Sequence, residues 1–192
     1  FCYTDEPHFS AMNIPGAEQN VILIDSVSKR YNLCGVRVGC IVSHNKDVMT
    51  AAMKYAQARL CPPVLGQIAA IGALDTPEQY LSDVRAEYIR RRNFMIESLN
   101  KIPGVYTPMP MGAFYTVAEL PVDDTERFAR WMLEEFRYNN ETTMVTPAAS
   151  FFKTPGKGKN YARIAYVLEI PELEKAVKCL EEGLKAYPGR TE

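Results

Sequence analysis

The spacing of hydrophobic and polar positions changes several times in the first part of the chain, and each change marks an expected element. Two short β-branched runs, VILID at 21–25 and VRVGCIVS at 36–43, predict a pair of buried strands joined by a loop. Apolar residues then recur at intervals of three and four over 45–60, which predicts an amphipathic helix. The run VLGQIAAIGAL at 64–74 predicts a second helix, mostly buried.

The remainder of the chain alternates helical and strand-like segments. A long charged helix is expected to begin at Thr76-Pro77, and its three consecutive arginines at 90–92 predict a solvated face. Strand-like segments follow at 105–120, 142–152 and 162–168, with helices over 124–138 and 171–189. This order predicts an α/β region at 1–75, including a connecting helix, and an α+β region at 76–192.

Composition narrows the class of protein. The net charge of −1 gives no electrostatic reason to expect nucleic acid or a membrane surface as a partner. The five cysteines are odd in number and form no C-x-x-C pair, so we expect a reducing, cytoplasmic setting and no disulfide framework. Each cysteine is interpreted as a small buried apolar residue. His8 and His44 are far apart in the sequence, and no metal site is predicted.

The segment from Ser26 to Arg37 carries the chemistry that needs an explanation. An arginine inside a buried strand is costly unless an anion meets it, and Ser26 and Ser28 add hydroxyl donors nearby. Two hydroxyls and one guanidinium converging on a point would bind phosphate. Lys29, desolvated beside a second cation, would lose part of its proton affinity and could attack a carbonyl to form a Schiff base.

The residues alone leave a plainer interpretation open. The segment could be an ordinary hairpin with a surface lysine and an arginine paired to a carboxylate. Arg163 poses the same choice, because alternation in ARIAYVL places it opposite the apolar face of its strand, where it needs an anionic ligand or a structural salt bridge. Neither KTPGKGKN at 153–160 nor GVRVG at 35–39 has the spacing of a P-loop or a dinucleotide-binding turn.

The motif S-x-S-K-x-x-x-x-x-G-x-R-x-G, present as Ser26 to Gly39, resembles the cofactor-lysine motif of the class I/II aminotransferases. These are fold-type-I enzymes that use pyridoxal 5′-phosphate (PLP). GAFY at 112–115 and ARIAYVL at 162–168 are similar to strands of that family's small domain. The sequence of residues 25–43 resembles that of the aspartate aminotransferase branch in particular. The implied fold class is α/β: part of a PLP-binding large domain followed by an α+β small domain.

The resemblance also implies a role for each residue. Lys29 would hold PLP as a Schiff base and shuttle the proton at the substrate Cα. Ser26 and Arg37 would bind the cofactor phosphate, with Ser28 assisting. Arg163 would grip the substrate α-carboxylate. The substrates would be an amino acid, aspartate in the first instance, and a 2-oxo acid, and the intact enzyme would be a homodimer with a shared active site.

Several parts of the family pattern have no counterpart here. The family's D-x-x-Y motif, which serves the cofactor ring, is not found among the 28 residues before Lys29. We therefore expect a C-terminal part of an aminotransferase that binds PLP weakly, transaminates negligibly alone and forms oligomers through exposed strand edges. The alternatives are another fold-type-I enzyme, such as a C–S lyase or a decarboxylating synthase, and a non-catalytic module that senses an effector.

Overall fold

The computed structural model describes residues 1–191 and divides the chain into two compact units. The hairpin unit is Thr4–Asp83. The core unit consists of Phe1–Tyr3 together with Val84–Glu192. The boundary on the C-terminal side therefore falls inside a long helix. The domain division after residue 75 stays a prediction.

The hairpin unit contains one antiparallel strand pair and three helices. Strand β1 pairs with β2 from Leu23 opposite Val42 to Ser26 opposite Gly39, which confirms the predicted strand pair. The connection between the strands is not an open loop, because it contains a short helix and a 3-10 turn at Cys34–Val36. The elements are β1 (Leu23–Ser26), α1 (Val27–Arg30), β2 (Gly39–Val42), α2 (Lys46–Arg59) and α3 (Val64–Ala73).

Local chemistry explains where the helices of this unit begin. The Asn45 side chain accepts hydrogen bonds from the backbone N–H groups of Asp47 and Val48, both at 3.1 Å, and so caps α2. Helix α3 begins after Pro62-Pro63, and the Gln67 amide donates to the Pro62 carbonyl at 2.8 Å. Both helices thus start where the sequence predicts.

Three predictions about burial in this unit were wrong. Strands β1 and β2 were expected to be buried, but every residue of β2 is exposed and Ile24 of β1 is 78% exposed. Helix α3 was expected to be mostly buried, but Leu65 is 81% exposed, and Ile68 and Ile71 are exposed as well. Cys34, Cys40 and Cys61, like Cys2 of the core unit, are exposed, whereas the sequence was interpreted as burying every cysteine. An apolar helix is buried only where other parts of the molecule cover it, and within residues 4–83 only Gly66 and Ala73 are buried.

The core unit is built on a three-stranded antiparallel sheet with the order β3-β5-β4. Arg163 lies on the central strand, opposite Val117 on one side and Thr146 on the other. The strands are shorter than the strand-like segments of the sequence, because prolines and glycines interrupt the flanking residues. The elements are α4 (Glu78–Leu99), β3 (Tyr115–Glu119), α5 (Thr125–Glu134), β4 (Thr146–Pro147), β5 (Tyr161–Ala165) and α6 (Ile170–Ala186).

A continuous hydrophobic core holds this unit together. Alternation buries Ala162 and Ile164 of β5 and Tyr166 just after it, as predicted. Leu168 was expected on the same face, but it is exposed. The apolar stripe of α5 is core, since Phe128 and Met132 have no exposed surface. The same cluster includes α6 residues Leu173, Leu180 and Leu184 and the α4 residues Met95 and Leu99. One face of the sheet is therefore buried, which leaves the face that carries Arg163.

The helices show no membrane-spanning character. Within residues 1–191, none is both long enough and apolar enough to cross a lipid bilayer.

Candidate functional site

The predicted site residues fall into two groups, one in each unit. Ser26, Ser28, Lys29 and Arg37 belong to the hairpin unit, and Arg163 belongs to the core unit.

Ser26 is the last residue of β1 and the N-cap of α1, so only two residues separate the strand from Lys29. Its backbone is extended, with φ −152°, and its Oγ accepts a hydrogen bond from the Ser28 backbone N–H at 3.3 Å. Serine is favoured at this capping position because its oxygen satisfies an N–H that the helix leaves unpaired. The Ser26 hydroxyl proton remains available to donate. Lys29 lies in the single turn of α1 and is exposed.

The structure corrects the prediction that Arg37 lies inside a buried strand. Arg37 precedes β2, which begins at Gly39, and it is exposed. It ends the 3-10 turn Cys34–Val36 in the left-handed region, with φ 57° and ψ 45°. One guanidinium nitrogen donates to the Cys34 carbonyl at 2.7 Å, which leaves the remaining N–H groups of the fork for another acceptor.

The hairpin register brings the two parts of this group to the same end of the strand pair. Ser26 lies opposite Gly39, and the Val27 N–H donates to the Val38 carbonyl at 3.3 Å. A Cβ at position 39 would lie 2.8 Å from the Asp25 carbonyl oxygen and 3.3 Å from the Ser26 Cβ. Glycine is required there because any side chain would push the strands apart beside the capping serine.

The charges around this hairpin end leave the two key cations without a carboxylate. Asp25 pairs with Arg30 at 3.3 Å, and its second oxygen accepts from the Ser26 N–H at 2.7 Å. Neither Lys29 nor Arg37 forms an ion pair with any of residues 1–191. Two hydroxyls, an amine and a partly free guanidinium form a donor set that fits a phosphate-bearing aldehyde such as PLP.

Arg163 projects from the exposed face of the sheet in the core unit. Its guanidinium carbon lies 5.4 Å from the ring centre of Tyr115 and 5.4 Å from that of Phe151. Such contacts orient a guanidinium through the negative face of the ring. No carboxylate among residues 1–191 pairs with Arg163, so the alternative of a structural salt bridge receives no support from these residues. The planar fork is free to bind a carboxylate.

A cavity of about 450 Å³ lies on the same side of this sheet and shares Phe151 with the Arg163 environment. Its carboxylate, Glu119, accepts hydrogen bonds from the Asn160 amide at 2.9 Å and the Tyr161 hydroxyl at 3.2 Å. Burial, followed by that bond to Glu119, raises the pKa of Tyr161. Glu119 is thus held by local donors. The lining residues are Tyr106, Pro108, Val117, Glu119, Ala148, Phe151, Phe152 and Tyr161.

The sequence interpretation missed both aromatic neighbours of Arg163. Tyr115 could have been found from strand alternation, since it lies diagonally across from Arg163 in the register. Phe151 follows β4 in a short 3-10 helix, Ala149–Phe151, and a local pattern gives no indication of that contact.

Comparison with known proteins identifies the family of the chain. Residues 1–180 match the family described as Aminotransferase class I and II. An aspartate aminotransferase of Pyrococcus horikoshii is 29% identical over 191 residues, covering 96% of this chain and 46% of the relative. An LL-diaminopimelate aminotransferase of Natranaerobius thermophilus is 31% identical over 173 residues, covering 88% of this chain and 42% of the relative.

A solved structure, an aromatic aminotransferase from Pyrococcus horikoshii OT3, superposes with a TM-score of 0.81 at 29% identity. The superposition covers 96% of this chain and 48% of the aromatic aminotransferase chain. The chain thus spans about half the length of the relatives it matches. The match extends from the hairpin unit well into the last helix, so both units share it. This chain belongs to the class I and II aminotransferase family.

Proposed function

We propose that this chain supplies the cofactor-lysine region and the substrate-carboxylate arginine of a PLP-dependent aminotransferase. The reaction moves an amino group between an amino acid, with aspartate as the preferred donor, and a 2-oxo acid. Lys29 is the catalytic residue, Ser26, Ser28 and Arg37 bind the cofactor phosphate, and Arg163 binds the substrate. The enzyme acts in the cytoplasm as a homodimer.

The observation that carries the proposal is the donor set at the end of the β1–β2 hairpin. Ser26 and Lys29 lie on one side of the connection and Arg37 on the other, and no carboxylate of residues 1–191 neutralises Lys29 or Arg37. Lys29 and Arg37 are exposed, so both are accessible to a ligand in solution. A phosphate-bearing aldehyde would engage the hydroxyl, the amine and the guanidinium together.

Each residue has a distinct task in this proposal. PLP, when bound, would supply the electron sink that allows a bond at the substrate Cα to break. The Lys29 Nζ would hold the cofactor covalently, and as a free amine it would take and return the proton at that carbon. The Ser26 hydroxyl and the free N–H groups of Arg37 orient the phosphate. Arg163 fixes the substrate through two parallel hydrogen bonds to its carboxylate, and Tyr115 and Phe151 limit the guanidinium's movement.

The choice of aspartate rests on the relatives. Matches from Pyrococcus horikoshii, Rhizobium meliloti and Thermotoga maritima are named aspartate aminotransferases at 27–29% identity. Others are named for LL-diaminopimelate and aromatic amino acids. Arg163 itself requires only that the donor carry a carboxylate.

Reductive trapping tests the role of Lys29. The chain is incubated with PLP, reduced with borohydride and digested, and the modified lysine is identified by mass spectrometry. We expect the label at Lys29 in preference to Lys46, which is also exposed but lies on α2. Arg37→Ala should weaken PLP binding by about 10- to 100-fold, since it removes charge-assisted hydrogen bonds to the phosphate.

The matched control is pyridoxal, which has the aldehyde but no phosphate. Arg37→Ala should leave pyridoxal trapping unchanged. Label spread evenly over exposed lysines, or equal trapping of PLP and pyridoxal by the unsubstituted chain, would contradict the proposal. We expect negligible turnover from the 192-residue chain alone. Donor preference is measured on a polypeptide of the relatives' length that contains this chain, comparing aspartate, alanine and phenylalanine.

A further inference from the structure

Helix α3 touches the turn that carries Arg37 through a glycine in its first turn. Gly66 is buried, and a Cβ added there would overlap the Val36 carbonyl oxygen, lying 3.2 Å from the carbonyl carbon and 3.4 Å from the Val36 Cβ. The two backbones therefore meet with no room for a methyl group. Glycine is disfavoured inside a helix relative to alanine, so the residue at 66 favours this close approach at the expense of helix propensity.

The turn that Gly66 contacts needs external support. Arg37 follows Val36 directly and has φ 57°, a backbone region that residues with a Cβ rarely occupy. Its hydrogen bond to the Cys34 carbonyl is exposed and lies within the turn itself. Contact with Gly66 of α3, 30 residues after Val36, can hold such a turn where local preference does not.

We infer that Gly66 is a positioning residue for Arg37: it lets α3 press against Val36 and so fixes the turn that presents the guanidinium to a phosphate. This inference rests on the proposed function, because it takes Arg37 as a phosphate ligand. A side chain at position 66 must displace the Val36 carbonyl, and the backbone of Arg37 moves with it. A guanidinium that is displaced out of line with its acceptor loses much of its directional hydrogen bonding.

The test compares Gly66→Ala with Gly72→Ala in the same helix. Gly72 has open space around its missing Cβ, so the second variant makes the same chemical change without a clash. The readout is the concentration of PLP, and separately of pyridoxal, that half-saturates borohydride trapping at Lys29. We expect Gly66→Ala to raise the PLP value about tenfold and leave the pyridoxal value unchanged. Gly72→Ala should change neither.

The two ligands separate positioning from general loosening. A Gly66→Ala chain that merely loses structure weakens both ligands, and that result overturns the inference. So does a Gly66→Ala chain that keeps the full preference of the unsubstituted chain for PLP over pyridoxal. If the unsubstituted chain shows no preference for PLP over pyridoxal, the proposed function is wrong, whatever Gly66→Ala does. The same holds if Arg37→Ala retains that preference.

A second measurement needs no substitution in α3. The unsubstituted chain is titrated with inorganic phosphate while backbone amide signals are followed by NMR. We expect the signals of Arg37 and Gly66 to shift with the same half-saturation and that of Gly72 to stay in place. A shift of Arg37 without Gly66 shows that the contact transmits nothing and overturns the inference.

Discussion

The two units differ in how they bury apolar side chains. In the core unit Leu99, Phe128 and Tyr166 have no exposed surface and belong to one continuous cluster. In the hairpin unit Ile24, Tyr55 and Leu65 are 78–81% exposed. Helices and short hairpins gain most of their stability from packing, so regular backbone in the hairpin unit lacks the support that the core unit has.

Because of this difference, the buried core lies in one unit and most of the proposed site residues lie in the other. The lysine and the phosphate ligands that we propose lie in the hairpin unit, which builds no core of its own from residues 4–83. Arg163, which we propose binds the substrate, lies in the core unit, which does build one. The chain spans about half the length of the relatives it matches. Three experiments test whether the two units differ in solvent access and in stability.

Thiol reactivity should show the largest effect. Cys34, Cys40 and Cys61 are exposed in the hairpin unit, whereas Cys179 is buried in the core unit, where its thiol donates to the Glu141 carbonyl at 3.7 Å. Burial, with the Glu141 charge adding to it, raises the pKa of the Cys179 thiol. We expect Cys179 to react with iodoacetamide on the order of 1,000-fold more slowly, since it must wait for the core to open.

Labelling is followed residue by residue by mass spectrometry, and unfolding in guanidinium should make all five cysteines react alike. Rapid labelling of Cys179 would mean that the core unit opens as readily as the hairpin unit. Slow labelling of Cys34, Cys40 and Cys61 would mean that another copy covers the hairpin unit in solution.

A matched pair of leucine substitutions measures the same difference as free energy. Leu184 of α6 has no exposed surface, and Leu65 of α3 is 81% exposed. We expect Leu184→Ala to lower the free energy of unfolding by about 2–5 kcal/mol, because it leaves a cavity in a packed core. Leu65→Ala should change it by less than about 0.5 kcal/mol. Denaturant titration monitored by circular dichroism gives both values, and a similar loss for the two variants would contradict the comparison.

Local patterns in the sequence predicted the strand pair, the helices and the outward placement of Arg163 correctly. Period and capping residues determine these features over a few positions, as at Asn45 and along β5. The family was indicated by resemblance, since the contiguous motif from Ser26 to Gly39 is similar to one found in a known family.

Features set by distant contacts could not be predicted in this way. Valines at 36 and 38 fit a strand, yet the turn at Arg37 packs against Gly66, far along the chain. The interpretation of 90–92 as a solvated face was also wrong in part. Arg91 donates to the Val167 carbonyl at 2.5 Å, and Arg92 donates to the Pro110 carbonyl at 3.0 Å. A run of charged residues predicts exposure to solvent, but it does not show which backbone carbonyls elsewhere in the chain will accept hydrogen bonds from these side chains.

Helix capping should give the smallest effect and is the most selective test of the comparison. Asp124 caps α5 in the core unit by accepting from the backbone N–H groups of Glu126 and Arg127, at 2.9 and 3.2 Å. Asn45 caps α2 of the hairpin unit in the same way. We expect Asp124→Ala to lower the free energy of unfolding by about 1 kcal/mol, which shifts the melting temperature by a few degrees.

Asn45→Ala should remove helical signal near 222 nm without moving that melting transition, because α2 has no buried residue through which its loss could reach a core. Asp124→Asn retains a capping oxygen and serves as the control, with a stability close to that of the unsubstituted chain. If Asn45→Ala lowers the melting temperature as much as Asp124→Ala, the two units unfold together. The hairpin unit would then draw its stability from the same cooperative transition, and its exposed apolar faces would not mark an independent weakness.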